Sequence, residues 1–246
     1  MSSWNPMELT LSRTWTARSV DPTPRTLAVA AMFGLGLSDA QHITVLDHVN
    51  IPLCPGQIIY ITGPSGGGKS TLLSCLRHEL TRRHMEIYEL GAKSSPSSPP
   101  LETGNRKLET QLSLIDELAH IPLPHALACL AKAGLSDAFV LLRRPSELSD
   151  GQRFRLGLAR FLASDAPLLL ADEFCATLDR LTAKVVAYQL RKFITASLTT
   201  PTPRAAIVAT THDDLLSDLA PDVLVYKDLG PKCTVRVSSG QFPVSS

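Results

Sequence analysis

With 246 residues, 44% of them hydrophobic, the chain can bury one substantial core but is cramped for two independent domains. Its 24 basic and 23 acidic residues leave a formal charge of +1, which argues against a globally basic nucleic-acid binder. Five cysteines, odd in number and without CxxC spacing, argue against a zinc cluster or a disulfide framework and fit a reducing, cytoplasmic setting.

Residues 1–25 carry Pro22 and Pro24 in a polar context and are expected to form a poorly ordered arm or an edge strand. The start lacks the basic-then-apolar layout of a signal peptide, and no apolar run of about 18 residues occurs, so any bilayer crossing is expected to fall to a partner. One α/β unit is expected over 26–240. In it, His42–Asn50 and Gln57–Thr62 gather β-branched and apolar residues around the Pro55-Gly56 turn, which predicts a hairpin-like pair of short strands.

The second of these strands runs into Gly63, Pro64, Ser65, Gly66, Gly67, Gly68, Lys69, Ser70 and Thr71, a match to GxxxxGK[ST]. Glycines there let successive backbone N–H groups converge on phosphate oxygens, Lys69 can reach the outer phosphates, and the Ser70 hydroxyl can ligate Mg²⁺. Ser70–Arg83 repeats leucine at helical spacing, so a helix is expected to point its positive end at the same phosphates. Strand, loop and helix follow one another in the order a phosphate site requires.

Residues 91–105 are rich in serine and proline and read as an exposed loop. From about 108 to 163 strand signals are missing and short apolar helical stretches recur, which predicts a small helical subdomain. Arg143, Arg144, Arg153 and Arg155 in this region read as a solvated basic face rather than a nucleic-acid site. The LLLA run ending at Ala171 and the AAIVATT run from Ala205 are apolar enough for strands buried on both faces, with Leu181–Thr195 as the helix crossing between them.

The first of those strands ends in two acids. Asp172, at the carboxyl edge of a sheet, is placed to orient Mg²⁺, and Glu173 to polarise the water that attacks a γ-phosphate.

Together with these features, Ser149, Asp150, Gly151 and Gln152, preceded by Leu148, resemble the LSGGQ signature of ATP-binding cassette ATPases. Ala176–Asp179 resembles their D-loop, and His212 their switch histidine; the resemblance covers about residues 42–228. It implies a P-loop NTPase of RecA-like, mostly parallel sheet with an antiparallel β subdomain and a small α-helical subdomain. It further implies ATP and Mg²⁺ as ligands and a homodimer in the ATP-bound state. In that dimer Ser149 and Gly151 of one copy meet the γ-phosphate held by Lys69 of the other, Asp179 lets the copies sense each other, and His212 bonds the γ-phosphate.

Several positions depart from the family pattern. Asp150 replaces a glycine and is expected to cap the signature helix. Phe174 stands where transporters generally carry proline. No aromatic directly precedes the strand at His42, which leaves His42 and the more distant Phe33 to stack on adenine, and Gln111 is the candidate for the glutamine that links nucleotide to partner.

The DEF and LSDGQ variants and the segment Ala30–Gly36 resemble soluble cassette ATPases sometimes joined to an acetyltransferase-like domain. The expected activity is therefore ATP hydrolysis that drives a separate effector protein, with the ATP-binding subunit of a membrane transporter, docked on a permease, as the alternative. Only about 80 residues separate the glycine loop from the signature, too few for the long coiled coil of a DNA-repair ATPase.

Overall fold

A computed structural model describes residues 4–16, 23–34, 42–90 and 112–238. The candidate loop at 91–105 and Gln111 lie outside the described residues, as does the side chain of His42. Six strands make the main sheet, in the order β4 (Ile87–Leu90), β5 (Leu168–Ala171), β6 (Ala205–Ala209), β3 (Ile58–Thr62), β7 (Val223–Lys227) and β8 (Cys233–Val237). All neighbours run parallel except β7 and β8, which are antiparallel. A separate two-stranded antiparallel sheet joins β1 (Met7–Thr16) to β2 (His42–Leu53), with helix α1 (Pro24–Phe33) between them in sequence.

Every residue of β3, β5 and β6 is buried, as continuous apolar runs dictate when helices cover both faces of a sheet. The two-residue period of β3 divides that burial. Ile58 and Tyr60 pack with α3 (Leu123–Lys132), α5 (Asp150–Ala163) and α6 (Arg180–Ser197), whereas Ile59 and Ile61 pack with α2 (Lys69–Arg82) and with Leu9, Leu46 and Ile51 of the small sheet. Two short helices, α4 (Ala138–Leu141) and α7 (Leu216–Leu219), complete the chain, and α3, α4 and α5 form a helical region at one side. This is the α/β architecture with a mostly parallel sheet that the resemblance implies. No helix among the described residues is long and apolar enough to cross a membrane.

The strand pair expected around Pro55-Gly56 is not a hairpin. β2 and β3 are consecutive, yet β2 pairs with β1 and β3 with β6 and β7. A turn signal fixes where the chain reverses, whereas a partner is fixed by which apolar face needs cover. Of the two alternatives for 1–25, Met7–Thr16 takes the strand, pairing with β2 and burying Leu9 and Leu11.

Candidate functional site

The glycine loop links the carboxyl end of β3 to the amino end of α2 and bounds an open cleft of about 790 Å³. Lys69, Ser70, Asp172 and Glu173 all line this cleft, so the two motifs, a hundred residues apart in sequence, share one site. β5 ends one strand away from β3, across β6, and this strand order carries its two acids to the same carboxyl edge as the loop.

The loop curls around its own lysine. Lys69 Nζ donates to the carbonyls of Gly63 and Pro64, each at 2.8 Å. Desolvation holds its pKa below the ordinary lysine value, and the carboxylate of Asp172 works in the opposite sense. The loop glycines are also fixed from beneath. A Cβ on Gly63 (φ +140°) would lie 2.0 Å from the Lys227 carbonyl oxygen, and one on Gly67 would lie 2.9 Å from the same atom.

At the other wall, Glu173 has a φ of 49° and Cys175 a φ of 60°, left-handed values unusual for such residues. Three contacts hold this turn: the Glu173 N–H donates to Asp172 Oδ1 at 3.0 Å, the Phe174 N–H to the Ala209 carbonyl at 2.9 Å, and the Ala176 N–H to the Glu173 carbonyl at 2.9 Å. Phe174, in the place of the expected proline, is buried edge-on against Phe154 of α5 with ring centroids 5.7 Å apart. Its ring anchors a turn that proline would otherwise stiffen.

His212 follows β6 and borders the cleft without lining it, whereas Thr210 and Thr211 do line it. Its N–H donates to Thr210 Oγ1 at 3.2 Å, and its carbonyl accepts from the hydroxyl of buried Tyr60. Burial pushes the Tyr60 phenol well up, helped by the nearby carboxylates of Asp213 and Asp214, so the group stays a donor. Thr62 Oγ1 donates to Asp213 Oδ1 at 2.7 Å, and Arg180 makes a two-pronged ion pair with Asp214. The His212–Asp214 segment is thereby tied to the strand that feeds the glycine loop and to the start of α6.

The signature residues Ser149, Asp150, Gly151 and Gln152 lie away from this cleft, at the amino end of α5. The cap is Ser149, not Asp150: Ser149 Oγ accepts from the Gln152 N–H at 3.3 Å, and Gln152 Oε1 accepts from the Ser149 N–H at 2.9 Å. Asp150 occupies the first helical position and pairs with Arg153 at 2.5 Å, both of them largely exposed. A serine one residue earlier has the extended backbone a cap requires, which is why the acid is displaced into the helix. A Cβ on Gly151 would meet the Thr177 carbonyl oxygen at 3.2 Å and Leu178 Cδ2 at 3.1 Å, so the signature packs directly on Ala176–Asp179. Asp179 caps α6 by accepting from the Thr182 N–H at 2.9 Å, and hydrogen bonds from Thr182 hold its carboxyl below the usual range.

Trp15 is an aromatic that the sequence reading did not weigh. It lies at the end of β1, is 59% exposed, and pairs with Ile43 two residues from Val45, whose Cγ1 is 3.4 Å from where a Cβ on Gly68 would be. The signal was present in MELTLSRTW, whose alternating residues suit the edge-strand alternative for 1–25. Phe33, by contrast, is an exposed end of α1.

For a divalent cation, Ser70 and Asp172 offer two hard oxygen donors on the same cleft. That set suits Mg²⁺, which takes one or two protein ligands and draws the remainder from phosphate and water.

Residues 46–176 match the family described as ABC transporter. The chain is 31% identical over 190 residues to the aliphatic sulfonates import ATP-binding protein SsuB of Delftia acidovorans, with 75% of this chain and 74% of that protein covered. It is 30% identical over 213 residues to the macrolide export ATP-binding/permease protein MacB of Burkholderia pseudomallei; that match covers 76% of this chain but spans only 30% of MacB. Among solved structures, the dimeric structure of MJ0796, a bacterial ABC transporter cassette, superposes with a TM-score of 0.58 at 21% identity, covering 93% of this chain and 98% of that one.

Proposed function

Because this chain belongs to the ABC transporter family and is an ATPase of that kind, we propose that it is the ATP-hydrolysing component of a membrane transporter, acting as a nucleotide-bridged pair of copies docked on a permease. The observation that carries the reading is the convergence of Lys69, Ser70, Asp172 and Glu173 on one cleft at the amino end of α2. Relatives described as import and export ATP-binding proteins favour a permease over the separate soluble effector expected from the DEF and LSDGQ variants. They also leave the acetyltransferase-linked subgroup without support.

In this reading Lys69 exchanges the carbonyls of Gly63 and Pro64 for the outer phosphate oxygens of ATP, while the loop N–H groups and the start of α2 hold the inner ones. Trp15, alongside the candidates His42 and Phe33, supplies a flat surface for the adenine. Ser70 and Asp172 hold Mg²⁺, which when bound spreads the phosphate charge and aligns its oxygens. Glu173, fixed on its left-handed turn, accepts a hydrogen bond from the attacking water, and His212 donates to the γ-phosphate from the far side. Ser149 and Gly151 of the second copy close over that phosphate, and Asp179 lies at the same seam. Loss of the bridging phosphate then loosens the pair and moves the permease.

Glu173→Gln removes the water-positioning carboxylate and leaves binding intact, so with ATP and Mg²⁺ it is expected to elute as a dimer from a sizing column. Released from native membranes, the trapped dimer is expected to bring with it a protein of several hydrophobic spans. A monomer at saturating ATP sinks the paired scheme, and recovery of only soluble partners returns the separate-effector reading.

A further inference from the structure

Lys227 ends β7 with its side chain 1% exposed, and among the described residues no carboxylate forms an ion pair with it. Its ammonium donates to the carbonyls of Asp228 at 2.7 Å and Gly230 at 2.5 Å, while the carboxylate of Asp228 is turned back to accept from the Leu229 N–H. A Cβ placed on Gly68 would lie 3.5 Å from Lys227 Cε and 3.8 Å from its Nζ. Gly68 is the N-cap of α2. The buried ammonium therefore lies against the backbone of the phosphate loop, and Lys227 is not among the residues that line the cleft.

A buried ammonium answered only by carbonyl dipoles is costly to keep, and the positive amino end of α2 repels it further. In packing terms a methionine of similar length would fill the same buried position, and only the two carbonyl contacts would be lost. An anion at the loop changes that balance, because the two ammonium groups and the helix end then act on it together through poorly solvated protein. We propose that Lys227 is a second cation of the phosphate site, a positioning residue that never touches the nucleotide but sets how strongly the loop prefers ligands with more phosphate charge. The inference rests on the ATP-binding reading above and deepens it, naming the polyphosphate part of the ligand as what Lys227 recognises.

The test is equilibrium binding of ATP, ADP and adenosine to the whole chain, in its wild-type, Lys227→Met and Lys227→Arg forms, alongside the melting temperature without nucleotide. Lys227→Met is expected to weaken ATP about tenfold, ADP by less and adenosine not at all, while the nucleotide-free melting temperature holds or rises. Lys227→Arg is expected to restore the order of affinities. Unchanged ATP affinity in Lys227→Met overturns the inference alone, as does an equal loss for all three ligands, which marks a merely structural residue. Should Lys227→Met fail to fold, Lys227→Gln carries the same comparison with a neutral polar end. A wild-type chain that binds no ATP overturns the ATPase reading, and this inference with it.

Discussion

The glycine loop and the signature turn both lie at helix amino ends, yet they are held in opposite ways. The loop is gripped from below: the Lys227 carbonyl crowds Gly63 and Gly67, and Lys69 is folded onto its own loop carbonyls. The signature is self-contained at the surface, its N–H groups answered by the Ser149–Gln152 capping box and its acid paired with Arg153. Residue identity at the loop is thus dictated by close approach of backbone, and at the signature by local hydrogen bonding. The loop takes its shape from the chain beneath it, whereas the signature takes its shape from its own cap and leaves the side chains of Asp150 and Arg153 largely exposed.

Three substitutions sharpen the contrast. Gly63→Ala forces a Cβ onto the Lys227 carbonyl at a φ of +140°, and is expected to cost about 4 kcal/mol in denaturant unfolding. A wild-type midpoint would show that the loop is looser than its geometry. Ser149→Ala removes only one cap and is expected to cost about 1 kcal/mol. Its hydrolysis rate should nevertheless fall far more than its stability, and a proportional fall would leave the signature with a purely structural part. Asp150→Gly deletes an exposed ion pair, and its unfolding free energy is expected to shift by less than about 1 kcal/mol. A larger loss, read in the same unfolding experiment, would mean that the acid does more than pair with Arg153.

The sequence revealed most plainly what depends on neighbours along the chain. The strand, loop and helix around Lys69, the buried runs at Leu168–Ala171 and Ala205–Ala209, and the helix after Asp179 all carry their periodicity within a few residues. Pairings across the fold left no such trace. β2 follows the logic of an antiparallel layer with β1, and nothing in Cys54–Gln57 says that the next strand leaves for another sheet. The second role of the loop glycines was hidden for the same reason. Their spacing suggests phosphate on one side, but the chain that crowds them from the other arrives more than 150 residues later. Lys227 itself reads as an ordinary lysine at the end of an apolar strand, and only its burial sets it apart.

The edge-on contact between Phe154 and Phe174 has a mechanical consequence. One ring belongs to the helix that begins at the signature, the other to the strained turn that carries Glu173; Phe174 is fully buried and Phe154 half-buried against it. The signature helix and the turn after β5 therefore share one packed contact, so a change in the packing of either is felt by the other. The aromatic pair is a buttress common to two segments that lie twenty residues apart in the chain.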